Sequence, residues 1–393
     1  MNGLRCALLA AVSGAVLALD ARAQAQETPA APQVPVTLGP DEARAALDRG
    51  VGWLLAEQDA EGDFGRGVSD SGLEYGFSIE TYYNWQVAGQ ALACMALMRV
   101  DETPAVRAAL EKGLRRLSAR RDSKRGNEWD SDFIWAGLYG YVAFVTAARD
   151  ARFQGDEWRA LVEEGGQRYL RILERNQTPE GGWGYYDFPY ASERPKWATS
   201  FCTALVLPAL QDAIALGWLD DPSVLARAHK YVARCAAPNG SFEYDLNMIP
   251  RVTGGENIND FKGSLGRIQV CNWGLASTGE KKITPDRIRE GLEQFFDEHR
   301  FLDCARMRPI PHEAYYQNAA YFYWFGHYYA AEAINLLPEG EREALHARLR
   351  PHAIKVQRAD GSTADFLPYS SMTTASTAYL VLTLALGLPA SST

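Results

Sequence analysis

The sequence predicts an all-α protein whose helices pair into an (α/α)6 toroid, a barrel with one ring of helices inside another. Three observations predict this fold. Charged and apolar helices alternate along the chain, six of each kind are expected, and turn glycines recur about every 60 residues. Charged, amphipathic helices suit an outer ring, whereas helices that are apolar all round must be buried inside. Closure removes the exposed ends that the alternative, an open solenoid, would have to cap.

Length and composition suit such a barrel. The chain has 393 residues, of which 47% are hydrophobic and 23% charged, so it can bury a large core in one large domain or two ordinary ones. Ten Trp and nineteen Tyr indicate aromatic packing around, or lining, a sizeable cavity. The net charge is -9 and no basic cluster is present. Nucleic acid is therefore a poor partner, because phosphate contacts need clustered Lys and Arg.

The amino-terminal segment is typical of an exported protein. Arg5 precedes an apolar run at 6–19 that is too short to span a bilayer comfortably, and small residues around Ala23 offer a cleavage site. Cys6 lies at the start of that run, not after it, so no lipid anchor is expected. The expected organisation is a signal peptide at 1–25, an extended linker at 26–38 and one toroid domain at 39–393. This organisation predicts a periplasmic or secreted protein without a stable membrane anchor.

The predicted export leaves open whether the cysteines are free thiols or form a disulfide. Five remain after the predicted cleavage, an odd number with no CxxC spacing. Cys94 and Cys202 lie in apolar, helix-like runs, which favours buried free thiols. One disulfide among Cys235, Cys271 and Cys304 remains an alternative, because connectivity does not follow from sequence.

Start signals place the charged helices. A polar cap or a first-turn proline stands at Pro40, Thr103-Pro104, Asp221-Pro222 and Thr284-Pro285. The charged helices are predicted over 40–58, 103–121, 156–177, 221–236, 284–299 and 339–357. The apolar helices are predicted over 77–99, 131–148, 197–215, 262–277, 312–336 and 369–387. Turn glycines follow the charged helices at 62, 126, 181, 240 and 361. A fifth copy of the turn has lost its glycine near residue 303.

One turn motif carries a family resemblance. Gln58 to Phe64 reads Gln-x-x-x-Gly-x-aromatic, Gln177 to Trp183 repeats it, and Gln357 to Gly361 repeats its first part. These segments resemble the QW motif of the squalene cyclase and protein prenyltransferase superfamily, over residues 40–388. The resemblance implies that each Gln ties a helix end to the next helix start, with the aromatic stacked upon it. It therefore implies a scaffold role for the motif.

The zinc chemistry of the superfamily is not retained. Prenyltransferases resemble this chain near Gly181, but they hold zinc through Asp and Cys at an inner-helix start and a later His. Thr199, Ser200 and Ser376 stand where such ligands would be wanted, and none is a usual zinc ligand. Complement-like thioester proteins share the barrel, but their Cys-Gly-Glu-Gln sequence is absent.

Cyclase chemistry is retained in part. Cyclases of the superfamily carry DxDD at an inner-helix start, where the middle Asp protonates an alkene or epoxide. Asp130 and Asp132 match the first and middle positions, and Phe133 replaces the last Asp. The resemblance therefore implies Asp132 as the acid of a degenerate cyclase, with Asp130 beside it. Read from the residues alone, the two carboxylates are favoured as helix caps.

A second candidate set opens the fifth apolar helix. His312 and Tyr316 are predicted to share one helical face, together with Gln317. A His beside a Tyr, with Arg194 nearby, suits proton abstraction next to a carboxylate, as in α/α-barrel polysaccharide lyases. The predicted cavity lining is Trp85, Trp135, Gln317, Asn318 and Tyr369.

The sequence thus predicts a toroid that binds a ligand in its central cavity, and it leaves open whether the protein is an enzyme. The leading hypothesis is an apolar or isoprenoid-like ligand, with a degenerate terpenoid cyclase as the finer form. One alternative is a carbohydrate-active lyase or hydrolase acting on an oligosaccharide, and another is a non-enzymatic scaffold that uses the rim. A dry pocket around Asp132 would favour the first, a wet cleft around His312 the second, and a filled centre the third. No cofactor or metal motif appears, so none is expected.

Overall fold

Helices build nearly all of the part of the chain that can be described. The computed structural model describes residues 36–65, 78–122, 130, 132–185, 195–246, 256–366 and 370–389. In chain order its helices are α1 (Pro40–Glu57), α2 (Ile79–Met98), α3 (Pro104–Ala119), α4 (Ile134–Ala148), α5 (Asp156–Asn176), α6 (Ser200–Ala204), α7 (Leu207–Ala215), α8 (Ser223–Arg234), α9 (Leu265–Ser277), α10 (Pro285–Asp297), α11 (Arg300–Ala305), α12 (Phe322–Ile334), α13 (Glu339–Ile354) and α14 (Ser370–Leu386).

The apolar helices form an inner layer that closes on itself. Helix α2 packs against α4 on one side and α14 on the other, and α9 and α12 continue the ring between α7 and α14. Each inner helix also packs against an amphipathic helix outside it, as α4 does against α5. Whole faces of the inner helices are buried, whereas the outer helices bury one stripe. The predicted all-α toroid, with a charged outer and an apolar inner layer, is confirmed.

Caps and prolines set the helix starts. The Thr103 hydroxyl accepts a hydrogen bond from the Val106 backbone N–H at 3.1 Å, which caps α3. Thr284 caps α10 in the same way. One predicted inner helix, 197–215, is divided into α6 and α7. Pro208 lies in the first turn of α7, and because proline has no N–H it cannot continue the ladder from α6.

The glutamine of each turn motif ties neighbouring outer helices together, as the resemblance implied. Gln58 Nε2 donates to the Ala109 carbonyl in α3 at 2.8 Å, and Gln177 Nε2 donates to the Val224 carbonyl in α8 at 2.9 Å. The last copy closes the ring. Gln357 Nε2, after the last outer helix, donates to the carbonyl of Ala46 in the first one at 2.9 Å.

The turn glycines allow these turns to approach the neighbouring outer helices closely. Gly361 has φ +94°, and a Cβ placed there would lie 2.2 Å from the Arg49 carbonyl oxygen of α1. Gly181 has φ +106°, and its Cβ would lie 2.5 Å from the Arg227 carbonyl oxygen of α8. Both the left-handed backbone and the contact with the next helix exclude a side chain. The aromatic of the second motif, Trp183, is fully buried and donates to the Leu173 carbonyl at 2.8 Å.

The predicted helix over 312–336 is wrong in its first part, because α12 begins only at Phe322. Residues before it form a loop in which His312, Tyr316 and Gln317 have φ between 54° and 65°. Pro311 removes a backbone donor directly ahead of His312 and disfavours the helical conformation before it. The apolar composition of this segment predicted a helix, but the aromatic residues of the loop pack against the core without helical structure.

The described cysteines are all free thiols. Cys94, Cys202, Cys235 and Cys271 are buried, and Cys304 is partly exposed. The free-thiol interpretation holds, and the alternative disulfide is not formed. None of the described helices has the length and hydropathy needed to cross a bilayer.

Candidate functional site

Aromatic side chains form a closed circle around the amino ends of the inner helices. Each lies on, or close to, a segment that leads into one of these helices. Neighbouring rings along most of the circle have centroids 5.2 to 6.3 Å apart. Phe366 and Trp85 pack in one small cluster, and Asp132 links Trp85 to the Trp135 side. We name this circle the mouth ring: Trp85, Trp135, Tyr185, Trp197, Tyr244, His312, Tyr321 and Phe366.

The ring is accessible in part. Trp85, Trp135, Trp197, His312 and Tyr321 are half-buried, whereas the other members are buried. Ring faces arranged in this way can stack against a ligand that enters from the amino ends of the helices.

Two tryptophans of the mouth ring hold carboxylates. Trp85 Nε1 donates to Asp132 Oδ2 at 3.1 Å, and Trp197 Nε1 donates to Asp245 Oδ2 at 3.0 Å. A hydrogen bond from an indole N–H fixes both the ring plane and the carboxylate oxygen. Each pair therefore places an indole ring beside a carboxyl group, on opposite flanks of Trp135 and Tyr185.

A chain of hydroxyl groups ends on an imidazole. The Tyr185 and Tyr244 hydroxyls share a hydrogen bond, Tyr244 lies 3.5 Å from the Tyr321 hydroxyl, and Tyr321 lies 2.9 Å from His312 Nε2. His312 Nδ1 lies 2.7 Å from the Gln317 carbonyl oxygen, which only accepts. In the neutral ring Nδ1 is therefore the donor, and Nε2 accepts from Tyr321. This tautomer lets His312 take up a proton through the hydroxyl chain.

A buried guanidinium supports the ring from below. Arg267 in α9 is fully buried, and burial lowers its pKa to about 10. Its Cζ lies 5.1 Å from the Tyr244 ring centroid and 5.6 Å from that of Phe322. Its Nη atoms donate to the Gly263 and Ile258 carbonyls, which secures the segment before α9. Arg267 is therefore a positioning residue behind the mouth ring.

Four buried tyrosines from three inner helices lie close together below the mouth. Tyr139 from α4 hydrogen-bonds to Tyr379 from α14, and the rings of Tyr328 and Tyr329 from α12 have centroids 4.6 Å apart. Tyr328 and Tyr379 rings pack with centroids 5.7 Å apart. All four are at most 8% exposed, and burial raises their pKa values. We name these four residues the tyrosine layer.

The opposite end carries a small cavity of about 100 Å³. It lies between the carboxyl ends of the inner helices, and its wall includes Arg99, Asp212, Trp273, Tyr328 and Glu332. Burial raises the pKa of Glu332, with Arg99 opposing it, and the Tyr328 hydroxyl lies 3.1 Å from Glu332 Oε1. The cavity is much smaller than a site for a C20 or sugar ligand, so we place the candidate site at the mouth.

Asp130 and Asp132 have different positions. Asp130 is fully buried and accepts from the hydroxyl of Ser78, the residue that caps α2. Asp132 joins the mouth ring through Trp85. Helix α4 has Phe133 as its N-cap residue, without a side-chain hydrogen bond.

The second predicted set does not assemble as expected. His312 pairs with Tyr321, whereas the Tyr316 ring packs on Phe301 at 4.9 Å and its hydroxyl lies 3.5 Å from Lys262 Nζ. The shared helical face is wrong because the loop has positive φ at these positions. Arg194 and Tyr369 lie outside the described residues.

Two predicted lining residues serve the loop instead. Gln317 is exposed, and its Oε1 accepts from the Ile258 N–H at 3.3 Å. Asn318 is buried and donates to the carbonyls of Lys262 and Tyr315 at 2.9 and 3.2 Å. Both hold the segment before α12 against the segment before α9.

Several site residues were missed at the sequence level, although the repeat could have found them. Tyr185, Tyr244 and Asp365 each stand four residues after a turn glycine. Asp245 follows one of them directly. Asp365 is 3% exposed, and burial raises its pKa to about 6 despite hydrogen bonds from the Trp324 N–H and the Ser376 hydroxyl. Aligning the chain on its turn glycines, not on its helices, would have placed these residues at the mouth.

The fold is similar to that of several solved structures. An unsaturated glucuronyl hydrolase specific for heparin gives a TM-score of 0.52 at 12% identity, over 89% of this chain and 97% of that one. The type II terpene cyclase MstE from Scytonema gives 0.50 at 13%, over 88% and 98%. The Lin0763 protein from Listeria innocua gives 0.50 at 12%, over 88% and 96%. No protein-family model and no curated protein matches the sequence. At these identities the similarity defines an α/α-toroid and nothing finer.

Proposed function

We propose that this toroid binds an oligosaccharide at the mouth ring. The observation that carries the proposal is the alternation of aromatic rings with hydrogen-bonding groups around the mouth. Sugar rings offer C–H faces that stack on Trp and Tyr, and hydroxyl edges that bond to carboxylates and imidazole. The mouth ring supplies both, in the pairs Trp85–Asp132, Trp197–Asp245 and Tyr321–His312.

The same groups disfavour a purely apolar ligand. Covering Asp132, Asp245 and His312 with hydrocarbon would remove water from polar groups and return no new hydrogen bonds, at a cost of several kcal/mol. The fold does not distinguish a saccharide ligand from an isoprenoid ligand, because a glucuronyl hydrolase and a terpene cyclase both have a similar fold.

The finer form of the proposal is a lyase or hydrolase. His312 is the candidate base, because its Nε2 accepts a proton through Tyr321. Asp132 and Asp245 are the candidate carboxylates for acid or nucleophile roles. Export, which the amino-terminal segment predicts, would place this site among extracellular or periplasmic polysaccharides.

A second candidate, an isoprenoid-type ligand, rests on one observation. Asp132 stands at the cyclase position and is held by Trp85 in a ring of aromatic faces. A variant of the terpene cyclase MstE has been solved in complex with its substrate, geranylgeranyl dihydroxybenzoate.

Tryptophan fluorescence tests the two candidates against each other. The full chain is titrated with acidic and neutral oligosaccharides and, separately, with geranylgeraniol in matched detergent. Trp197→Ala should weaken saccharide binding at least about tenfold, since losing one stacked ring costs roughly 1.4 kcal/mol. Trp158→Phe is the matched control. Trp158 lies on outer helix α5 against Phe153, far from the mouth, and should leave the affinity unchanged.

The outcomes separate the hypotheses. Saccharide binding that depends on Trp197 supports the proposal, and depolymerisation that His312→Ala or Asp245→Asn abolishes supports its finer form. Binding of geranylgeraniol alone, weakened by Asp132→Asn, would replace it with the second candidate. If neither ligand binds, the non-enzymatic scaffold is the remaining interpretation.

A further inference from the structure

Three histidines and an aspartate meet outside the mouth, between α11, α12 and α13. His299, Asp303 and His352 each place one possible metal-ligand atom within 4.8 Å of the others. His299 Nδ1 lies 3.0 Å from Asp303 Oδ2, and the rings of His299 and His352 have centroids 3.7 Å apart. His327 completes the group from the inner helix. No sequence motif marks this group, because its members are spread over 54 residues, from His299 to His352.

The hydrogen bonds of the group determine which ring nitrogens carry protons. His327 Nδ1 lies 2.6 Å from the Tyr323 carbonyl oxygen, which only accepts, so Nδ1 is the donor. Neutral His327 then offers Nε2 as an acceptor, 3.0 Å from His299 Nε2. His299 must donate there, which leaves a lone pair on its Nδ1. That lone pair points at the Asp303 carboxylate, and two acceptors 3.0 Å apart need a cation between them.

A proton or a metal ion could supply that charge. A metal-bound histidine commonly donates its other N–H to a neighbouring acceptor, as His299 does to His327. In a tetrahedral site with bonds near 2.1 Å, ligand atoms lie roughly 3.4 Å apart. His299 Nδ1 and Asp303 Oδ2 lie 3.0 Å apart, and His352 offers a ring nitrogen within 4.8 Å of the ligand atoms of the other two residues.

His352 supplies an independent observation. Its Nδ1 is buried and has no hydrogen-bond partner among the described residues. A buried ring nitrogen without a partner costs free energy, and a metal bond would satisfy it. We propose that His299, Asp303 and His352 form a binding site for a divalent transition-metal ion of the zinc class, with a fourth position for water.

Lys355 competes for the same carboxylate. Its Nζ lies 2.8 Å from Asp303 Oδ1, and its side chain is 44% exposed. A metal ion at Asp303 would displace this ammonium, which can withdraw into solvent. The competition gives the proposal a distinctive consequence: removal of the Lys355 charge should strengthen metal binding.

Zinc titration of the full chain tests the site. The protein is stripped with a chelator and titrated with Zn²⁺ against a chromogenic competitor, and Co²⁺ is used in parallel for its absorption spectrum. One equivalent of metal should bind. Asp303→Asn and His352→Gln should each weaken binding at least about tenfold, and Lys355→Met should strengthen it. His229→Gln, on α8 outside the group, is the control and should change nothing.

Circular dichroism without metal shows whether each variant is folded. Lys355→Met removes no ligand, so it decides the question even where a ligand variant unfolds. Unchanged zinc affinity in Lys355→Met would overturn the proposal, because the carboxylate would then not be a ligand. Nitrogen NMR that shows a doubly protonated His299 ring, unaltered by Zn²⁺, would overturn it as well.

Discussion

Replacing Asp365 by Asn tests whether a buried carboxyl near the mouth limits stability at neutral pH. Asp365 Oδ2 accepts from the Trp324 backbone N–H at 3.2 Å, in the first turn of α12, and Oδ1 accepts from the Ser376 hydroxyl at 3.0 Å. An Asn side chain can preserve both bonds. Its oxygen accepts from Trp324, and its NH₂ donates to Ser376, whose hydroxyl can also accept.

The magnitude follows from the pKa of Asp365. Burial raises it from 3.8 to about 6, and each unit of pKa corresponds to about 1.4 kcal/mol. The stabilising contribution of the neutral carboxyl is therefore fully present below pH 3.8 and is lost as the pH rises through about 6. Asn resembles the neutral form at every pH. Asp365→Asn should match the wild type near pH 4 and exceed it by about 3 kcal/mol at pH 8.

Urea denaturation followed by circular dichroism at pH 4.5 and pH 8 measures this difference. Asp360→Asn is the matched control. Asp360 is exposed in the same turn, where a hydrogen bond from Ser362 lowers its pKa, so its replacement should give no gain at pH 8. A gain for Asp365→Asn that is equal at both pH values, or a loss at pH 8, would refute the reasoning.

Four further predictions concern the scaffold. Gly361→Ala should lower the free energy of unfolding by about 2–4 kcal/mol, because its φ is +94° and its Cβ would lie 2.2 Å from the Arg49 carbonyl oxygen. Gly340→Ala, in open space within α13, should raise it by up to about 1 kcal/mol in the same thermal unfolding assay. Among the five described cysteines, a thiol reagent should modify only Cys304 in the folded protein, slowly and not in Cys304→Ser, since the other described thiols are buried. Burial lowers the pKa of His346 to about 4, so stability should fall as the pH drops from about 6.5 toward 4, and His346→Gln should flatten that dependence in urea titrations.

The sequence predicted the scaffold well because the scaffold depends on local rules. Periodicity and caps placed most helices, and the joints at Gln58, Gln177 and Gln357 depend on a motif that can be read from the chain. The same rules failed at residues 312–321. There a composition typical of a buried helix is overridden by Pro311 and by positive φ at His312.

The site was only partly predictable, because it depends on contacts between distant segments. Asp132, Trp85, Trp135 and His312 do lie at the mouth, since inner-helix starts converge there in any toroid. Their partners do not follow from spacing. Tyr321 was expected to line the same helix as His312, yet it reaches His312 across a loop, and Asp245 reaches Trp197 from the next repeat.

The fifth repeat explains why one chain carries two candidate sites. In the other described repeats a turn glycine follows the outer helix, and the residue four positions later, Tyr185, Tyr244 or Asp365, lies at the mouth. Near residue 303 this turn is lost, and helix α11 takes its place. That helix carries His299 and Asp303 outward to the histidine group, and the loop after it brings His312 into the mouth ring. Loss of the repeat at one position therefore accounts for both the imidazole of the mouth and the proposed metal ligands.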